Sequence, residues 1–178
     1  MGRPETSKWI ECGVQLTTVR FMTWSRERVG YLVIGLGVGA LLDGFILHQL
    51  LQWHHLWSQK TTVSTVRGLE LNTLADGIFH MGFLVVLLIG IGLLIGRRIE
   101  ARPLAALVLI GWGCFHVIDQ FVFHLGLRAH HIREGVENPE VYDWTFFAVG
   151  LVLIATGSFI LRSADGKSPW GGDSFSRT

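Results

Sequence analysis

Four long apolar stretches, separated by shorter polar segments, dominate the pattern of hydrophobic and polar positions. They cover residues 29–53, 74–95, 104–127 and 144–161. A helix rises about 1.5 Å per residue, so crossing a bilayer core of about 30 Å takes about 20 residues. None of the 15 Lys and Arg residues falls within these stretches. The pattern therefore predicts an all-α integral membrane protein with four membrane-spanning helices.

Composition supports the same class. Hydrophobic residues make up 49% of the 178 positions, which is too apolar for an ordinary soluble domain, and the net charge is only +1. The sparse basic residues fit membrane topology better than nucleic-acid binding, so nucleic acid is not an expected partner. Cys12 precedes the first helix and Cys114 lies inside the third, which predicts no disulfide framework.

The distribution of basic residues predicts the orientation of the chain. Eleven of the 15 lie before the first helix, between the second and third helices, or after the fourth. The other four lie in the two remaining loops: Lys60, Arg67, Arg128 and Arg133. Cytoplasmic loops carry the excess of Lys and Arg, so we expect both termini in the cytoplasm and the two longer loops outside.

The two ends of the chain are expected to lie outside the membrane domain. Residues 1–28 are predicted as a cytoplasmic leader, either weakly amphipathic or disordered, and residues 29–162 as the transmembrane domain. Residues 163–178 are rich in Gly, Ser and Asp and predict a disordered cytoplasmic tail. The leader lacks the apolar core of a signal peptide, and Met22 is an alternative start to Met1.

A motif of aspartate and histidine occurs twice with identical spacing. The copies are Asp43-x4-His48-x5-His54-His55 and Asp119-x4-His124-x5-His130-His131. Each copy ends one helix of a helical hairpin, so repeat one covers 29–96 and repeat two covers 104–162. Two hairpins of the same topology predict a four-helix bundle with a pseudo-twofold axis along the membrane normal.

The repeated polar groups point to a metal site. An ionisable group at the centre of a membrane helix costs about 2.5–3.5 kcal/mol, so such groups normally face the bundle interior and mark a functional site. Histidine and carboxylate together suit zinc, iron or copper(II). The candidate ligands are His48, His80, His124, Asp43, Asp76, Asp119, His54, His55, His130, His131 and His116.

Within this set we expect three deep histidines from three helices, His48, His80 and His124, to surround one ion. The two His-His pairs are expected at the water interface, as an access cluster, while the aspartates bind the ion directly or orient the histidines. Asp143 is assigned to capping of the fourth helix alone.

Several functions remain open at this point. The site could serve transition-metal handling, or it could be the centre of a membrane enzyme, an iron- or zinc-dependent oxidase or hydrolase acting on a lipidic substrate. His48 and His124 could instead be the axial ligands of a b-type haem. A purely structural polar network is the fourth alternative, and a homo-oligomer is compatible with each.

The motif residues resemble a family of predicted membrane proteins of bacteria and archaea, a domain of unknown function (DUF2243). Its pattern is Asp-Gly-x3-His-Gln-x2-Gln-Trp-His-His followed by Ala-Asp-Gly-x-Phe-His, found here at residues 43–55 and 75–80. The resemblance implies a four-helix protein of a prokaryotic inner membrane. It also suggests copper as the metal, with a respiratory oxidase or its assembly factors as partners.

Overall fold

A computed structural model describes residues 24–164 of the chain. Most of the predicted leader and the predicted tail lie outside these described residues. Within them the fold is all-helical, with no strand. The helices are α1 (Arg26–Asp43), α2 (Val66–Leu93), α3 (Ala101–Asp119) and α4 (Pro139–Ala164). All four are long and apolar enough to cross a membrane, which confirms the prediction of four spans.

Two of the helices change their winding at the same end of the molecule. α1 continues directly into a π-helical segment at Gly44–Leu50, and α3 continues into a second one at Gln120–Gly126. Each segment begins directly after the aspartate of its own Asp-x4-His motif. Just beyond them, Gln52 and Arg128 both adopt a positive φ, at 51° and 48°. Non-glycine residues rarely take this conformation, so its occurrence at matching positions shows that both copies leave their helix in the same way.

The helix starts have local causes. The Ser25 side chain accepts a hydrogen bond from the Arg28 backbone N–H and caps α1. Thr65 caps α2 in the same way by accepting from the Gly68 N–H. Such caps satisfy backbone donors that have no partner within the helix. α2 and α4 begin before the apolar stretches that the sequence predicts from residues 74 and 144. Their first turns contain polar residues and therefore do not belong to the apolar stretches.

α1 and α3 form the centre of the molecule, and α2 and α4 flank them. α1 contacts α3 and α2, α4 contacts α3, and the backbones of α2 and α4 do not approach each other. The central pair is therefore much more buried than the flanking pair: 44% of the apolar window in α1 and α3 is buried, against 17% in α2 and 11% in α4.

Glycines set the distance between the central helices. A Cβ atom at Gly35 would overlap the Val108 carbonyl, and one at Gly111 would overlap the Leu32 carbonyl. We call this pair, Gly35 and Gly111, the glycine seam. Small residues let helix backbones approach closely in membranes, where packing contacts rather than the hydrophobic effect hold helices together. Close contact at the seam therefore fixes how α1 and α3 pack, and with that the position of their polar ends relative to each other.

Candidate metal centre

The polar groups gather at the end of the molecule that carries the loops 51–65 and 127–138. Here two compact groups of possible ligands form, each with its donor atoms within 4.8 Å of one another. The first half-site consists of Asp43, His48 and His54, and the second half-site consists of Asp119, His124 and His130. All six residues are buried. Each half-site takes one residue from the end of an α-helix, one from a π-helical segment and one from the loop beyond it.

The π-helical segments bring the aspartate and the histidine of each motif together. The two residues are five positions apart, which in an α-helix would place them about 140° apart around the axis. In a π-helix the backbone bonds run from residue i to i+5, so the residue five positions along lies one turn above. Asp43 Oδ2 consequently lies 3.4 Å from His48 Nε2, and Asp119 Oδ2 lies 2.8 Å from His124 Nε2.

Each of the four histidines turns its Nδ1 atom to an acceptor. His48 Nδ1 lies 2.8 Å from Asp76 Oδ1, and His124 Nδ1 lies 3.1 Å from Asp143 Oδ1. His54 and His130 use the backbone of the opposite repeat, since their Nδ1 atoms lie 2.8 Å and 3.1 Å from the carbonyl oxygens of Ile132 and Leu56. A carbonyl only accepts hydrogen bonds, so these Nδ1 atoms carry the proton and leave Nε2 with its lone pair.

Unpaired polar atoms are concentrated at this cluster. Among the described residues, seven buried side-chain nitrogen or oxygen atoms have no hydrogen-bond partner, and one of them belongs to Asn72 in α2. The other six are Asp43 Oδ1, His48 Nε2, His54 Nε2, His130 Nε2, His80 Nε2 and Gln120 Oε1. Leaving a buried polar group unpaired costs about 1–3 kcal/mol. Several unpaired atoms at one place are expected where a cation binds, because the cation would then pair with them.

The imidazole rings join the two half-sites into one cluster. His54 and His130 stack with their ring centres 4.5 Å apart and their planes 10° from parallel. The ring centres of His48 and His54 are 4.3 Å apart, and those of His124 and His130 are also 4.5 Å apart. The half-sites are therefore neighbours rather than separate sites.

Burial keeps the loop histidines neutral. It lowers the pKa of His54 well below its usual range and lowers the pKa of His130 to about 4. Metal ions bind neutral imidazole, so both rings are in the protonation state that coordination requires at neutral pH. From their sequence positions both residues are expected at the water interface. Each is only 2% exposed, because the loops fold back over the helix ends and across each other.

One aspartate from α2 and one from α4 accept hydrogen bonds from the histidines of the cluster. Asp76 accepts hydrogen bonds from His48, from His55 at 2.7 Å and from the Leu56 N–H at 2.8 Å. A carboxylate on the far nitrogen of a ligating histidine fixes the tautomer and orients the ring. Asp76 therefore orients the rings of His48 and His55, as one of the two roles expected from the sequence requires.

Asp143 occupies the corresponding place in the second repeat. It accepts from His124, from His131 at 2.6 Å and from the Ile132 N–H at 2.8 Å. The assignment of Asp143 to helix capping alone was wrong. The signal that pointed to its role was its position, matching Asp76, at the start of the second helix of a hairpin.

The remaining candidate histidines have different surroundings. His55 and His131 are partly exposed and contact Asp76 and Asp143 rather than the half-sites. His116 has both ring nitrogens paired within the protein, one with the Trp112 indole at 3.0 Å and one with the Phe146 carbonyl at 2.9 Å. His124 is also paired at both ring nitrogens, but its Nε2 partner is the carboxylate of Asp119, which belongs to the same half-site. His116 is paired with an indole and a backbone carbonyl and belongs to neither half-site.

His80 lies beside the first half-site but outside its compact group. Its ring centre is 6.0 Å from that of His48. The grouping of His48, His80 and His124 around one ion accordingly stays a prediction, whereas the structure groups each deep histidine with its own aspartate and its own loop histidine.

Fold and site together define a multi-pass membrane protein with buried histidine–aspartate groups that could bind metal. The chain belongs to the family described as "predicted membrane protein (DUF2243)", whose sequence model matches residues 30–164. No curated protein and no solved structure matches the chain.

Proposed function

We propose that this chain is an integral membrane metalloprotein that holds two transition-metal ions, one in each half-site, as a dinuclear centre. The observation that carries the proposal is the convergence of unpaired buried atoms at the cluster, above all the Nε2 atoms of His54 and His130. A structural polar network would supply a donor to each of these lone pairs, as the Trp112 N–H does for His116.

The donor set favours iron. Each half-site offers two histidines and one carboxylate, the ligand set of non-haem iron(II) sites with open coordination positions. Copper(I) prefers thiolate and thioether, and neither half-site contains Cys or Met. The copper role suggested by the family resemblance is therefore the weaker hypothesis. Bound iron would supply redox chemistry with dioxygen, while the protein residues would hold the ions and exclude bulk water.

The geometry does not favour haem. A haem with axial histidines needs an open slot between the two ligands. Here the rings of His48, His54, His130 and His124 follow one another with neighbouring centres 4.3–4.5 Å apart. Stacked imidazoles fill the place that a macrocycle would occupy.

We further propose that the two hairpins are related by a pseudo-twofold axis along the membrane normal. The repeated motif, the paired π-helical segments and the reciprocal bonds of His54 and His130 to the opposite backbone support this symmetry. The axis would pass between the stacked rings of His54 and His130. The two metal positions would then be symmetry mates.

Metal analysis of detergent-purified protein tests the dinuclear centre. We expect two iron ions per chain, no haem absorption band, and loss of bound metal to background in the His54→Ala/His130→Ala double variant. His116→Phe is the matched control, since this buried histidine has no free ring nitrogen, and it should keep both ions. A folded wild-type chain that stays metal-free after incubation with iron, zinc, manganese and copper would overturn the proposal. Two zinc ions bound in preference to iron would overturn the choice of metal.

The proposed location is the inner membrane of a prokaryote, with the histidine end outside. In a background free of Cys12 and Cys114, a cysteine replacing Lys60 should react with an impermeant thiol reagent in intact cells. A cysteine replacing Arg98, in the short loop at the opposite end, should react only after lysis. The reverse pattern would invert the orientation. A respiratory oxidase or its assembly factors remain the partners proposed from the family resemblance.

A further inference from the structure

The two half-sites differ at one pair of positions. In the first, the π-helical segment begins with Gly44, and His80 of α2 lies directly against it, so that a Cβ at Gly44 would overlap the His80 ring. The Nε2 atom of His80 is buried and has no hydrogen-bond partner. A larger residue at position 44 would displace the imidazole from this place.

In the second half-site both residues of this pair are replaced by different ones. Gln120 stands at the position of Gly44, and Phe147 stands at the position of His80. Ring contacts support the match, because His80 packs on Phe45 at 5.3 Å and Phe147 packs on Phe121, the repeat equivalent of Phe45, at 5.7 Å. The second half-site thus has an amide from its own π-helical segment where the first has an imidazole from the neighbouring helix.

The second half-site also faces open space. A cavity of about 390 Å³ is lined by Gln120, His124, His130 and Asp143, with Arg128 at its wall. Gln120 is 1% exposed, and its Oε1 atom has no partner. Because its oxygen has no partner, this side-chain amide can rotate and present its N–H groups instead. It lies beside two candidate ligands and next to a cavity, so it is placed to donate a hydrogen bond to an acceptor that enters there.

We propose that the second half-site binds a small exogenous ligand, dioxygen or an anion of similar size, in this cavity, and that His80 takes the corresponding place in the first half-site. The inference rests on the dinuclear centre proposed above. It makes the two metal positions unequal, the first closed by a third histidine and the second open. Gln120 is a positioning residue, whose amide turns its N–H to the bound ligand.

Azide binding to the cobalt(II)-loaded protein tests the inequality, because cobalt absorption in the visible range reports each change of coordination. The wild type should bind two cobalt ions and one azide per chain. Protein without cobalt would count against the dinuclear centre itself. Two cobalt ions with either no azide or two azides would leave that centre standing and overturn the open position.

Substitutions at the exchanged pair separate the roles. His80→Phe, which copies Phe147, should either release one cobalt ion or admit a second azide, and unchanged stoichiometries would exclude His80 as the group that closes the first half-site. Gly44→Ala should give the same result, because the added Cβ displaces the His80 ring while keeping it in the chain.

The role of Gln120 is tested by Gln120→Leu, which removes one hydrogen bond to the ligand. The azide dissociation constant should rise about three- to tenfold with cobalt content unchanged. Glu70→Gln is the control, because this exposed side chain pairs with Arg67 of its own helix and contacts neither half-site. Equal azide affinity in Gln120→Leu and Glu70→Gln would remove Gln120 from the ligand site.

Discussion

The same two helices, α1 and α3, contact each other in two different ways at two levels of the molecule, the glycine seam and the loop end that carries the half-sites. At the glycine seam, Gly35 and Gly111 bring the backbones into contact with no side chain between them. At the loop end, the half-sites place imidazole rings and carboxylates together in a buried cluster, and several of their atoms have no partner.

The difference between these levels separates stability from function. Backbone contact at the seam is close-packed and satisfied within each helix, so it stabilises the pair without any ligand. The half-sites place polar atoms in a buried region without full pairing, which costs stability unless a ligand binds. The close-packed seam stabilises the helix pair at one level. This stabilisation can offset the cost of the unpaired polar atoms in the half-sites at the other level.

The largest effect that separates the two levels is expected from Gly111→Ala. The added Cβ overlaps the Leu32 carbonyl, and backbone cannot move aside as a flexible side chain can. We expect the free energy of unfolding in detergent to fall by about 3 kcal/mol, with bound metal lost as α1 and α3 separate. Gly82→Ala, where a Cβ meets open space, is the control and should be neutral or slightly stabilising. Equal stability of the two variants would show that the seam does not hold the central pair.

A smaller effect, confined to the polar level, is expected from Asp143→Asn. An amide at this position cannot match the carboxylate as acceptor for His124, His131 and the Ile132 N–H together. Metal affinity should fall about 10–100-fold, measured by competition with a chelator. Asp76→Asn should behave alike in the first half-site, and the exposed Glu70→Gln should have no effect. An Asp143→Asn variant with full affinity would return Asp143 to helix capping.

The smallest effect is expected from His116→Phe, which lies between the two levels. The ring would keep its stacking on Phe146, now at 3.8 Å, but the Trp112 indole would lose its acceptor. The free energy of unfolding should fall by about 1–2 kcal/mol, with metal content unchanged. Loss of metal in this variant would make His116 part of the site and blur the separation of the two levels.

Much of the fold could be predicted from the hydrophobic pattern, because membrane-spanning helices need long apolar stretches whatever their tertiary contacts. The site was predicted less well. With 3.6 residues per turn, an α-helix would place Asp43 and His48 on different faces. Nothing in the sequence indicates the π-helical winding that brings the two side chains together. The burial of His54 and His130 also depends on a loop crossing that no local pattern encodes. Asp143 could have been recognised from its match to Asp76.

The reciprocal bonds of His54 and His130 have a consequence for how the molecule is assembled. Each ring is oriented by a carbonyl from the other hairpin, Ile132 for the first and Leu56 for the second. Neither hairpin can orient its own loop histidine, so the site exists only where both halves meet. Cutting the chain between α2 and α3 would therefore separate each of these histidines from the carbonyl that orients it, unless the two halves stay associated.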